Sequence, residues 1–199
     1  MKLTSSQTYK LIYYVLEHRA FTQLQASKSA GISLGQTNKI VQWLVQKRFA
    51  EKRSNKYYLA DPSGLVGLFA LERDMNSFLA KKISVNLSKE KVLRQIPKSV
   101  LCLDSALEKY SNYYRSNRVC VYINSEKGVK EIEKTFQDTS PGHTEIWLFK
   151  ASPESETIKL KQRIVATKLR TLIDLVCDNK TFYAKDLFKQ LWGVKFLES

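Results

Sequence analysis

Between positions 33 and 42 the chain reads SLGQTNKIVQ, and Gly35, Gln36, Asn38, Lys39 and Gln42 carry an amide, an ammonium or no side chain at all. A side-chain amide holds a donor beside an acceptor, the pattern needed to pair with the edge of adenine, while an ammonium reaches guanine or phosphate. Gly35 removes bulk where the backbone would have to come close, and the Ser33 hydroxyl stands just ahead of it. A second polar group, Lys52, Arg53, Asn55 and Lys56, falls within five positions and has the chemistry of phosphate contact. Both groups suit recognition by binding.

Bond-making chemistry is less well served. Nucleotidyl transfer needs a Gly-Ser pair near a strand and two acids placed to hold Mg²⁺ against a triphosphate. Asp104-Ser105 lacks the glycine, and Glu131 with Glu133 fall on a predicted helix, where a two-residue spacing does not share a face. His18 and His143 have no metal-ligand spacing around them, and His143 in SPGHTE is expected in a turn. Cys102, Cys120 and Cys177 are odd in number and set in apolar stretches, the pattern of buried reduced thiols. There is no Walker phosphate loop and no GxGxxG. The expectation is a protein without enzymatic activity, cofactor or metal.

The elements that must position the first group are legible. Ser5 and Ser6 offer caps for a helix from about Gln7 to Arg19, with Leu11, Ile12, Val15 and Leu16 on one face. Thr22 caps a short helix that stops at Gly31, and Ser33 caps a third to about Lys47, with Thr37, Ile40, Val41 and Leu44 inward. Two helices joined so tightly predict a helix-turn-helix. The segments FAEKR and YYLAD around SNK then predict a β-hairpin directly after it, a wing carrying the second polar group.

Asp61 and Pro62 open a further helix bearing Leu65, Val66, Leu68, Phe69, Leu71 and Met75, expected to run to Asn76. Beyond KKISVNLS, a candidate strand or extended connector, and a short helix from Ser88 closed by Pro97, the order reads helix (101–114), strand (118–123), helix (126–136) and strand (144–150). An extended segment around 159–166 and two helices to Gly193 complete it. The expected domains are 1–61, a connecting helix over 62–80, and an α/β domain over 81–199, giving an α+β chain. Arg170, Thr171 and Asp174 draw notice because Arg170 and Asp174 share a helical face, most simply as an ion pair. Phe182, Tyr183, Phe188, Trp192 and Phe196 suit either core or a partner surface.

Of the net charge of +14, residues 1–60 hold ten Lys and Arg against two acids, and the rest twenty-three against seventeen. So concentrated an excess calls for a polyanion, nucleic acid or an anionic membrane surface. No apolar run approaches the roughly 20 residues of a bilayer span, and the start MKLTSSQTYK lacks a secretory core, so a cytoplasmic protein is expected.

AGISLGQTNKIVQWLVQKRFAEKRSNKYYLAD, from Ala30 to Asp61, resembles the winged helix-turn-helix of MarR-like bacterial and archaeal regulators. One departure is Arg48, where that family usually has Gly, so a weaker helix stop is expected. The whole order, with VCVYIN, EIWLFKAS and above all TKLRTLIDLV, resembles the AbiE-type antitoxins, whose second half looks like a degraded, non-catalytic nucleotidyltransferase fold. The resemblance implies a repressor of its own promoter and a toxin partner.

The leading expectation is a regulator that binds double-stranded DNA as a homodimer through Ser33, Gly35, Gln36, Asn38, Lys39, Gln42, Lys52, Arg53, Asn55 and Lys56. Two others stand beside it. One is an interaction protein or adaptor that holds its partner through the C-terminal domain, and the other a residual nucleotidyltransferase.

Overall fold

A computed structural model describes residues 3, 5–96, 99–150 and 156–194, and it is mixed α+β, with nine α-helices and two sheets among those residues. Pro97 and Phe196 lie outside the described residues. The chain divides into two units, 1–73 and 74–199.

The first unit runs α1 (Ser6–His18), β1 (Ala20–Phe21), α2 (Gln23–Ala30), α3 (Leu34–Gln46), β2 (Ala50–Arg53), β3 (Lys56–Leu59) and α4 (Pro62–Glu72). Leu11, Ile12, Val15 and Leu16 of α1 are buried with Ile40, Val41 and Leu44 of α3, as their helical spacing requires. The hairpin β2–β3 turns through Ser54 at φ 52°, and β1 adds a third antiparallel strand in the order β1-β3-β2. Two residues are too few to show a period of two, so β1 leaves no pattern in the sequence.

The helix expected to reach Asn76 ends at Glu72. Arg73 is extended, and the Asp74 carboxylate instead accepts from the Asn76 N–H to start a 3₁₀ turn over Met75–Phe78. Nor is this helix only a connector. Leu65, Val66 and Phe69 are fully buried, and Tyr9 sets its ring edge-on to Phe69 at 5.5 Å, so the first unit closes at Arg73 and not at Asp61.

The expected weak stop after α3 is a complete one. Arg48 takes the left-handed conformation itself, at φ 61°. Its N–H donates to Val45 and that of Phe49 to Leu44, the paired bonds of a Schellman motif, and Phe49 packs its ring 5.9 Å from Trp43. Arg at a position suited to glycine costs about 1 kcal/mol. Arg48→Gly is therefore expected to raise stability to urea by roughly 0.5 to 1 kcal/mol. An unchanged or lowered midpoint would contradict the strain.

The second unit carries β4 (Leu79–Val85), α5 (Lys89–Gln95), β5 (Val100–Leu101), α6 (Leu103–Tyr110), β6 (Arg118–Ile123), α7 (Glu126–Phe136), β7 (Thr144–Lys150), β8 (Thr157–Leu160), β9 (Arg163–Ala166), α8 (Lys168–Cys177) and α9 (Lys185–Trp192). Its sheet has the order β4-β7-β6-β5-β9-β8, with β6/β7 and β5/β9 parallel and the other pairs antiparallel. The helix expected from Leu101 to Tyr114 starts later, because Val100 and Leu101 pair with Tyr122 and Val121 on one side and Ile164 and Val165 on the other, and it ends earlier, at Tyr110.

Alternation along β6 sorts the interior. Val119, Val121 and Ile123 join Val129, Ile132 and Phe136 of α7 in one apolar cluster. Cys120 and Tyr122 turn to the opposite face and meet Asp104 of α6 and Asp174 of α8. The apolar side is thus separated from a side that buries charge.

Candidate nucleic-acid interface

The approach to α3 is fixed by short-range hydrogen bonds. Thr22 and Gln25 form a reciprocal capping box at the start of α2. Gly31 closes that helix at φ 65°, and the Ser27 hydroxyl donates to the Ile32 carbonyl at 2.6 Å, locking the three-residue turn. Ser33 then accepts from the Gln36 N–H at 3.2 Å to cap α3.

All ten residues singled out from the sequence are exposed. On α3 they fall into two rows. Gln36 and Lys39 border a shallow hollow of about 360 Å³ together with Gln7 of α1 and Trp43. Asn38 and Gln42 lie on the other flank, where Gln23 of α2 donates to the Asn38 carbonyl oxygen at 2.9 Å and to the Tyr57 hydroxyl at 3.0 Å. Gln42 donates to the same Asn38 oxygen at 3.4 Å. The Asn38 acceptor is therefore engaged, and the network ties α2, α3 and β3 into one surface. The side chains of Gln36 and Lys39 have no hydrogen-bond partner among the described residues.

Gly35 has open space before it: a β-carbon there would meet nothing nearer than the Ser33 hydroxyl at 4.0 Å. The fold does not require glycine at this position. Leu34, 51% exposed beside it, adds an apolar contact that the polar pattern of the sequence did not signal.

In the hairpin Lys52, Asn55 and Lys56 stand in solvent, whereas Arg53 is engaged. Its guanidinium donates to Glu51 at 2.8 Å and lies 5.3 Å from the Tyr58 ring centroid. Both partners are exposed, so the pair is weak and exchangeable. Sequence reasoning missed Gln23 and Tyr57, whose roles depend on contacts 15 and 34 residues away.

The residue patterns that catalysis could use are held in other arrangements. Gly31-Ile32-Ser33-Leu34-Gly35 has the spacing of a hydrolase nucleophile, yet Ser33 joins two helices instead of following a strand, and its hydroxyl caps α3. Asp104 is buried beneath Lys180, 2.6 Å away, and accepts from the Tyr114 hydroxyl. Burial works to raise its carboxyl pKa, but the bonds from Lys180 and Tyr114 outweigh it and hold the group below its ordinary range. For Lys180 burial works to lower the pKa, and the bonds to Asp104 and Asp178 carry it above. Glu131 and Glu133 face different lysines, Lys127 and Lys81. Glu72 and Asp74, also two apart, each accept from a backbone N–H, of Leu3 and Asn76. His143 sits in a bend before β7. All three cysteines are buried, and burial pushes the Cys102 and Cys120 thiols up, away from the reactive thiolate.

Arg170 and Asp174 do form the i,i+4 pair, in full burial, joined by Glu156 and the Tyr122 hydroxyl. Phe188 is core, while Phe182 and Tyr183 are 71% and 50% exposed. Among the described residues no helix is long and apolar enough to cross a membrane. No protein-family model, curated protein or solved structure matches the chain.

Proposed function

We propose that the first unit is a winged helix-turn-helix that reads double-stranded DNA with α3 and grips phosphate with the β2–β3 wing, making the protein a transcriptional regulator and not an enzyme. The observation that carries this is the continuity of one exposed surface, in which the Gln23 bonds to Asn38 and Tyr57 bring the amides of α3 beside the strand that leads from the wing. The amides supply base discrimination, and Lys52 and Lys56 supply the sequence-independent attraction. Two copies acting on a palindrome would double a limited contact area, and the outward side of α4, with Leu71 at 81% exposure, is the apolar surface available for pairing. The AbiE-type resemblance makes the protein's own promoter the natural target.

The test is a polarisation titration with a labelled duplex from that promoter region. Saturable binding by two chains per duplex, resistant to excess unrelated DNA and weakened by salt, is the expected result. Equal displacement by unrelated duplex would remove the sequence-specific reading.

Gly35→Ala sharpens the test. A methyl group fits the free protein, so stability should hold or rise by about 0.5 kcal/mol. On the promoter duplex the same methyl group would stand between backbone and bases, and affinity should fall roughly tenfold, as for one lost base-edge contact. Unchanged affinity would mean that α3 does not approach the bases at this end.

A further inference from the structure

In the second unit two hollows, of about 860 Å³ and 680 Å³, open beside the loop 111–117 that joins α6 to β6. Arg115, Ser116, Asn117 and His143 line both, so the two form one groove. Each half has the size of a small-molecule site.

Most of the cations at this groove are already matched. Lys180 is held by Asp104 and Asp178, Arg118 lies 3.4 Å from Glu145, and Lys89 lies 2.7 Å from Glu108. Arg115 is different: it is exposed, spends one N–H on the Tyr114 carbonyl, and meets no carboxylate among the described residues. Lys109, Asn117 and His143 are exposed as well, with no side-chain partner among the described residues. Beside these groups stand two tyrosine rings, of which Tyr183 also packs against Phe182 at 5.8 Å. Tyr113 is 92% exposed, and Tyr183 is 50% exposed, with its ring braced by Tyr114 at 5.2 Å. An exposed ring is not maintained by packing, and nothing in this unit requires Tyr113 to be aromatic.

We infer that this groove binds a nucleotide, free or within a single strand. A planar guanidinium and a nearby ammonium take phosphate, an exposed tyrosine offers a face to a base, and the Asn117 amide can bond to the base edge. A duplex has no base face to offer such a ring. An acidic peptide is a poorer match, because protein anchors need an apolar pocket and Leu87 is the one aliphatic residue among those lining the two hollows. The inference is independent of the reading of the first unit.

The test uses the full chain and fluorescein-labelled oligouridylate and oligothymidylate of about twelve nucleotides, within the usual reach of single-strand sites. Unlabelled UTP serves as competitor. Saturable binding is expected, with Tyr113→Ala lowering affinity roughly tenfold, the value of one stacked base. Arg115→Ala should lower it too and flatten the slope of log affinity against log salt by about 0.7. Displacement by UTP identifies a site for free nucleotide, and its failure to displace identifies a site for a strand. The losses from Tyr113→Ala and Arg115→Ala should be the same size in a Lys52→Ala/Lys56→Ala background, which separates this site from any contact made by the first unit. Binding of neither probe, as a peptide groove would give, overturns the inference. So do Tyr113→Ala and Arg115→Ala affinities within about twofold of the parent, well under one stacking contact.

Discussion

Arg170→Ala is expected to cost about 3 to 5 kcal/mol of stability, enough to unfold much of the second unit at moderate temperature. The Arg170 side chain is 8% exposed, and its Nε lies 3.0 Å from both oxygens of Asp174, which is fully buried. Another arm of the guanidinium meets Glu156, and a third donates to the Tyr122 hydroxyl at 3.1 Å. Removing the guanidinium takes from two buried carboxylates a cation that both of them meet, and the cost of that exceeds what the pair contributed when intact. Tyr122→Phe keeps the charge balance and removes only a hydroxyl that donates to Asp174 and accepts from Arg170, so about 1 to 2 kcal/mol is expected. Lys127→Ala, which breaks a 4.0 Å pair of exposed groups with Glu131, should change little. Because the chain has two units, unfolding should be followed in a Trp43→Phe background, where Trp147 and Trp192 report on the second unit alone. A loss below about 1 kcal/mol for Arg170→Ala would show that the cluster does not hold the unit together.

The same cluster shows where the sequence is legible and where it is not. Arg170 and Asp174 stand four apart on a helix, so their pairing follows from local geometry. Tyr122 and Glu156 lie 48 and 14 residues from Arg170, and no spacing rule links them. Only the sheet, which turns alternate residues of β6 toward α8, brings the hydroxyl to the carboxylate. Local signals served well where they were strong. The cap at Ser125 and a continuous β-prone run fix α7 and β6 at their expected bounds. They fail at β1 and β5, two residues each, which exist because partner strands are already in place. At the candidate interface the exposed polar rows of α3 follow from helical period and burial alone. That Asn38 is engaged by Gln23, and Arg53 by Glu51, does not follow, because side-chain bonds among exposed groups leave no periodic trace.

These engagements change how the proposed DNA-binding surface should respond to mutation. Lys52 and Lys56 have no carboxylate partner among the described residues, so a phosphate is their natural counter-charge. Lys52→Ala/Lys56→Ala should weaken binding to promoter and scrambled duplexes alike and flatten the plot of log affinity against log salt by about 1.8, the release of two phosphates' counterions. Arg53 must first leave Glu51, 2.8 Å away, so Arg53→Ala should flatten the slope less than either lysine. Glu51→Gln should in turn strengthen binding to every duplex, by removing a negative charge from the wing and freeing Arg53. On α3 the expected pattern is the opposite. Gln36→Ala removes an amide with no side-chain bond among the described residues and should cost about 1 to 3 kcal/mol on the promoter duplex while leaving scrambled DNA and the salt slope almost untouched. Asn38→Ala should cost less at the bases and more in the alignment of Gln23 and Gln42, since its oxygen already accepts from both. Salt series on the two duplexes for these variants measure all of it. A salt slope unmoved by the lysine pair would mean that the wing does not touch DNA, and equal losses on both duplexes for Gln36→Ala would mean that α3 does not read its sequence.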